Sequence, residues 1–140
     1  QCASAPRTTN SNAYSFNPGD VDFGYAGFFV WPNFTIWIYP GEANLSVLQM
    51  NPESEQRTIE FQDWFTLGGV LTPQLAEAAA YQKDVLQPED IAICESVQRG
   101  LKSKAYNQGR FIVDNGKTEL SEHAVHHFQR MVFEALKAKL

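Results

Sequence analysis

From residue 25 onward the hydrophobic and polar positions change rhythm. Tyr25 to Tyr39 (YAGFFVWPNFTIWIY) is dense in aromatic and β-branched residues and is broken only by Pro32-Asn33, a turn signal. This predicts two strands joined by a tight connection. Pro40-Gly41-Glu42-Ala43-Asn44 reads as a second turn and Leu45 to Met50 as a third strand. Arg57 to Leu67 alternates as a fourth, with Ile59, Phe61 and Asp63 on one face and Thr58, Glu60 and Gln62 on the other. The connections are too short for crossover helices, so an antiparallel meander is expected.

After Gly68-Gly69 the period lengthens from about 2 to about 3.6 residues. Thr72-Pro73 has the form of a helix start, an N-cap followed by proline at the first helical position. Helix-forming residues then continue to Lys104, with Pro88 expected to end or kink the helix. Beyond it, Ile91, Cys94, Val97 and Leu101 form an apolar stripe bordered by Asp90, with Cys94 read as a small buried side chain. A loop over 107–120 precedes a final helix capped by Ser121, with apolar positions at Ala124, Val125, Phe128, Val132, Ala135 and Leu136. Strands first and helices second define an α+β chain.

Composition narrows the function. Of 140 residues, 44% are hydrophobic and 19% charged, which excludes a disordered or collagen-like chain. The net charge of −5 argues against a nucleic-acid partner, and no apolar run is long enough for a membrane span. Residues 1–70 carry 2 basic and 7 acidic side chains whereas 71–140 carry 9 of each, so the charge sits in the first half. Residues 1–20, rich in Ser, Thr and Asn, read as loop or a truncated edge. The opening Gln1-Cys2-Ala3-Ser4-Ala5-Pro6 lacks an initiator Met and a signal-peptide pattern, and reads as an internal cut or an added scar. Two cysteines point to a reduced, cytoplasmic setting, and the sequons at Asn33 and Asn44 are taken as chance.

Three features could carry chemistry. The aromatic run reads first as sheet core and alternatively as a pocket for a cationic ligand. His123, His126 and His127 put two imidazoles on one helix face, yet no Glu or Cys stands at a supporting distance, so helix surface and packing is the simpler reading. Glu89-Asp90 follows Pro88, where acidic residues favour the positive end of a helix; a carboxylate beside an apolar stripe is alternatively a metal ligand.

Several segments in order resemble the large subunits of Rieske non-haem iron oxygenases, most of all those acting on quaternary ammonium compounds: choline monooxygenase, carnitine monooxygenase and glycine betaine demethylase. They are Phe29-Val30-Trp31-Pro32-Asn33, Tyr39-Pro40-Gly41, Glu89-Asp90, Cys94-Glu95-Ser96-Val97-Gln98-Arg99-Gly100-Leu101, Tyr106 with Gly109-Arg110, and His126-His127-Phe128. The resemblance implies a partial helix-grip catalytic domain over 21–140, an antiparallel sheet followed by long C-terminal helices. It places Asp90 at the carboxylate of a two-histidine, one-carboxylate Fe(II) site. Trp31, Trp37 and Tyr39 become candidate substrate contacts, while Glu95 turns away from the metal and Gln98, Arg99 and Arg110 serve structure or subunit contacts.

The same resemblance implies a 2Fe-2S cluster in the full-length protein, O₂ as co-substrate, electrons from NAD(P)H through a reductase or ferredoxin, and a homotrimer. The family's H-x-x-x-x-H pair and its C-x-H…C-x-x-H cluster ligands do not occur here, so the Rieske domain is absent and this chain alone is expected to be inactive. The alternative function is a non-catalytic helix-grip module binding a small apolar or cationic ligand. Exposed aromatic surface and a tendency to associate are also expected.

Overall fold

The computed structural model describes residues 2–5, 25–116, 118 and 121–137. They fall into two compact units, divided between Leu101 and Lys102. The first unit holds one antiparallel sheet and a long helical segment. Strands β1 (Cys2–Ala5), β2 (Tyr25–Val30), β3 (Phe34–Ile38), β4 (Asn44–Ser54) and β5 (Arg57–Thr66) pair in sequence order, each with the next.

The meander agrees with the sequence pattern from residue 25 on, and two differences have physical reasons. Cys2–Ala5, read as loop, is a strand: its backbone pairs with Tyr25 to Phe28, and main-chain bonding at an edge needs no propensity signal in the side chains. Residues 6–20 of the expected loop lie outside the described residues. Strand β4 runs on through Pro52, beyond the predicted end at Met50. Its partner β3 pairs only with Ser46 to Gln49, so one edge of β4 is free at Pro52 and the missing N–H breaks no ladder bond there.

The pairing registers sort the side chains into two faces. Gly27, Thr35, Trp37, Ser46, Leu48, Gln62 and Trp64 share one; Phe28, Val30, Ile36, Val47, Phe61 and Phe65 share the other. Burial favours the first face. Ser46 is wholly buried and Gln62 half-buried, whereas Phe61 and Phe65 are more than half exposed. The alternation in β5 was therefore legible, but its more apolar face is the one left uncovered among the described residues.

The turn between β3 and β4 is held by one side chain. Asn44 accepts from the Tyr39 N–H at 3.1 Å and donates to the carbonyls of Tyr39 and Glu42 at 3.0 and 2.7 Å. Both sequon asparagines are engaged in this way, since the Asn33 amide donates to the Met50 carbonyl and to Asn51 Oδ1. Asn44→Ala removes all three bonds and strands half-buried backbone groups. Its expected cost is about 1–3 kcal/mol, seen as a lower urea midpoint at unchanged m-value.

Gly68 and Gly69, both at positive φ, close β5 and turn the chain toward the helices. Thr72 caps α1 (Pro73–Tyr81) as its sequence suggests, its Oγ1 accepting from the Leu75 N–H at 3.2 Å. The same hydroxyl donates to Glu42 Oε2 at 2.5 Å, tying the helix start to the β3–β4 turn. Leu75, Ala78 and Gln82 are its buried positions. The chain neither ends nor breaks at Pro88. It passes through a π turn, Gln82–Leu86, into α2 (Gln87–Leu101), and Pro88 lies in the first turn after it. Along α2 the expected burial fails: Ile91, Val97 and Leu101 are 45–55% exposed, and Cys94 is an exposed free thiol rather than a buried one.

In the second unit a polar loop precedes α3 (His123–Lys137). Ser121 does not cap that helix through its side chain; its hydroxyl accepts from the Asp114 N–H instead. Glu122, next in sequence, exchanges two bonds with Ile112: its N–H donates to the Ile112 carbonyl at 2.6 Å and its carboxylate accepts from the Ile112 N–H at 2.7 Å. A short carboxylate-anchored loop results, in which Asp114 also receives the Thr118 N–H and hydroxyl.

Candidate functional site

The aromatic candidates on β3 lie where alternation sends them. Trp37 pairs with Gly27 across one edge and with Ser46 across the other, so its indole has open space over a residue without a side chain. A Cβ built on Gly27 would lie against Cζ3, Cε3 and Cη2 of that ring, the last at 2.7 Å. The indole Nε1–H donates to Thr35 Oγ1 at 2.8 Å, on the same strand face. Tyr39, two residues on, stacks against Trp64 of β5 with centroids 5.2 Å apart and planes 13° from parallel. Between their strands lies Ser46, the smallest polar side chain of that row, receiving a hydrogen bond from Gln62 Nε2 at 3.1 Å. One face of the sheet thus carries an aromatic wall in two parts, Trp37 over Gly27 and the Tyr39–Trp64 stack, with the small buried Ser46 hydroxyl in the row between their strands.

Of the sequence candidates, Trp37 and Tyr39 are brought onto this wall and Trp31 is not. Trp31 lies in the β2–β3 turn, ahead of a cis peptide bond to Pro32, and is 39% exposed. Asp90 occupies the first turn of α2, exposed, and forms no hydrogen bond or ion pair among the described residues. The sequence reading missed the polar frame: Asn44, Ser46 and Gln62 carry no motif, and only the pairing register shows that they underlie the aromatic rings. Gln98, expected to serve structure or subunit contacts, donates its amide to the Glu55 carbonyl in the β4–β5 turn at 3.1 Å.

A mononuclear iron of the two-histidine, one-carboxylate kind needs three donors converging on one point. Among the described residues no three His, Cys, Asp or Glu side chains form such a group. The histidines sit on α3 in the second unit, with His126 edge-on to Phe111 at 5.6 Å, while Asp90 belongs to the first. The described residues do not assemble such a set.

A sheet of this order followed by a long helical segment is the arrangement of the Rieske oxygenase catalytic domain, which has a helix-grip-like fold. Superposition on a quaternary ammonium Rieske monooxygenase, described for carnitine oxidation by gut microbiota and inter-subunit electron transfer, gives a TM-score of 0.79 at 28% identity. It covers 95% of this chain and 35% of that one. A monooxygenase of the same kind in complex with its substrate gamma-butyrobetaine matches with TM-score 0.74 and 31% identity, over 83% of this chain and 34% of that one.

Residues 3–138 match the family of ring hydroxylating alpha subunits (catalytic domain), and the chain belongs to that family. The carnitine monooxygenase oxygenase subunit of Acinetobacter baumannii is 30% identical over 125 residues, 89% of this chain and 34% of that protein. The chloroplastic choline monooxygenase of Arabidopsis thaliana is 34% identical over 116 residues, 78% of this chain and 24% of that protein. The chain therefore spans about a third of the length of the carnitine monooxygenase subunits it matches. Among the described residues no helix is long and apolar enough to cross a membrane.

Proposed function

We propose that this chain is part of the catalytic domain of a Rieske-type mononuclear iron oxygenase that hydroxylates or oxidatively demethylates a quaternary ammonium substrate. The observation that carries this reading is the family match over 3–138, combined with an aromatic wall suited to a trimethylammonium group. Asp90 is the carboxylate ligand of the iron, with the two histidines supplied from outside this chain. Trp37 and Tyr39 face the substrate cation, backed by Trp64, and Trp31 is a further substrate contact, offered from the β2–β3 turn. Residues 21–140 form this part of the domain, and the chain alone is inactive.

In the whole enzyme a mononuclear iron, held in part by Asp90, would supply O₂ activation, with electrons from NAD(P)H through a reductase or ferredoxin and a 2Fe-2S cluster. The assembly is a homotrimer in the cytoplasm, a setting that suits an exposed free thiol at Cys94.

The aromatic part of the proposal is testable on this chain. Choline is expected to bind weakly, with a dissociation constant in the millimolar range. Its neutral tert-butyl analogue should bind about fivefold more weakly, matching about 1 kcal/mol for a cation over an aromatic face. Tyr39→Ala should erase the difference. Ligand-detected NMR titration measures both affinities, and equal binding of cation and neutral analogue would count against the wall as a cation site.

A further inference from the structure

The helical segment from Pro73 to Leu101 contains one irregularity, and it sits just before the carboxylate pair. At Gln82–Leu86 the hydrogen bonding widens: the Gln87 N–H donates to the Gln82 carbonyl, five residues back instead of four. A π turn of this kind holds one residue more than an α turn. Pro88 follows, with no N–H to give and a ring that in a regular helix would press on the Asp84 carbonyl. Relief of that contact accounts for the place of the irregularity. Its consequence is rotational.

The buried positions Leu75, Ala78 and Gln82 define one line along the first half of the helix. In an uninterrupted α-helix, at about 100° per residue, Glu89 would fall within about 15° of that line and Asp90 about 90° away. One absorbed residue turns everything downstream back by about 100°. Asp90 then falls within about 15° of the line and Glu89 more than about 100° from it. Cys94, Val97 and Leu101 come within about 35° of the same line, so two stripes that are out of phase in the sequence become one.

We propose that the Gln82–Leu86 π turn is a positioning element that selects Asp90 over Glu89 as the carboxylate on the line that continues the buried positions Leu75, Ala78 and Gln82. Its functional meaning rests on the reading of Asp90 as the iron ligand, but the geometry can be tested without iron. The turn acts through Asp90 and touches no substrate. It explains how adjacent acidic residues on one helix take different roles: Asp90 shares a line with the apolar stripe of Cys94, Val97 and Leu101, and Glu89 lies about 100° away from it.

The experiment uses the full 140-residue chain with Cys2→Ser and a nitroxide on Cys94, which lies one turn before Gln98 and its bond to the Glu55 carbonyl. Amides around Glu55 are expected to be broadened in NMR spectra. Removing one residue of the π turn and allowing a regular helix leaves the downstream phase unchanged. Deletion of Val85 with Pro88→Ala, and deletion of Asp84 with Pro88→Ala, should therefore both keep that broadening and the far-UV helix signal. Inserting one alanine between Leu86 and Gln87 should restore the Glu55 amides to at least half their unlabelled intensity. Recovery of those amides in both deletion variants, loss of helix in both, or unchanged broadening after the insertion would each overturn the proposal. None of these readouts depends on whether Asp90 binds metal, so failure of the ligand reading appears separately, in iron content.

Discussion

Gly27→Val is expected to be the most damaging single substitution in the sheet, costing about 3 kcal/mol or more. Gly27 is buried and stands opposite Trp37 in the β2–β3 ladder, and the indole occupies the volume that any side chain at 27 would need. Even the Cβ of alanine would meet three ring carbons, so the ring must leave its position over the strand. Overpacking of this kind costs about 1–3 kcal/mol when the neighbour can shift. Here the shift also breaks the Nε1–H bond to Thr35, adding about 1 kcal/mol. Valine has the better strand propensity, so a loss of stability cannot be charged to the backbone. Urea denaturation of Gly27→Ala, Gly27→Val and Gly27→Val/Trp37→Ala separates the causes. The double variant should be more stable than Gly27→Val plus Trp37→Ala taken additively, because the second change removes the ring that the first displaces.

The largest effect on chemistry is expected at Asp90. In an oxygenase polypeptide that contains this chain together with a Rieske domain and an H-x-x-x-x-H segment, Asp90→Ala should remove the mononuclear iron and lower substrate turnover by more than about 100-fold. That is beyond the 10–100-fold loss usual for groups that only orient a ligand. The visible absorption of the 2Fe-2S cluster should persist, since its ligands lie elsewhere. Glu89→Gln in the same polypeptide should leave iron content and turnover close to the starting protein, because adjacent helical residues lie about 100° apart and Glu89 points away from the side of Asp90. Metal analysis of the two variants side by side distinguishes a ligand from a general loss of negative charge at the helix start.

The elements most legible in the sequence were those whose local chemistry is self-sufficient. Pro32-Asn33 and Pro40 to Asn44 mark turns by residue type alone, and Thr72-Pro73 marks a helix start; all three stand in the structure at those residues. What the sequence hid depends on partners distant along the chain. Strand β1 forms through backbone pairing with a segment some twenty residues away. The covering of Gln62 in preference to Phe61 reflects which sheet face receives a neighbour, and alternation alone is symmetric between faces.

Pro88 shows the limit most clearly. Its missing N–H predicts a disturbance, but the form of the disturbance, a π turn in place of a break, has no signature in the local residue types. The candidate site residues were suggested mainly by family likeness. Periodicity could place Trp37 and Tyr39 on one face, yet neither the Trp64 stack nor the Asn44 brace beneath it has a local signature.

The central claim is that this chain contributes one ligand to an iron site whose remaining ligands come from elsewhere. Iron content of the purified 140-residue chain after anaerobic Fe(II) loading and desalting measures it most directly. Far less than one iron per chain is expected, with no further change in Asp90→Ala, because a single carboxylate does not hold Fe(II) through desalting. Tight iron near one per chain, lost on Asp90→Ala, would show a complete site within these residues and contradict the account.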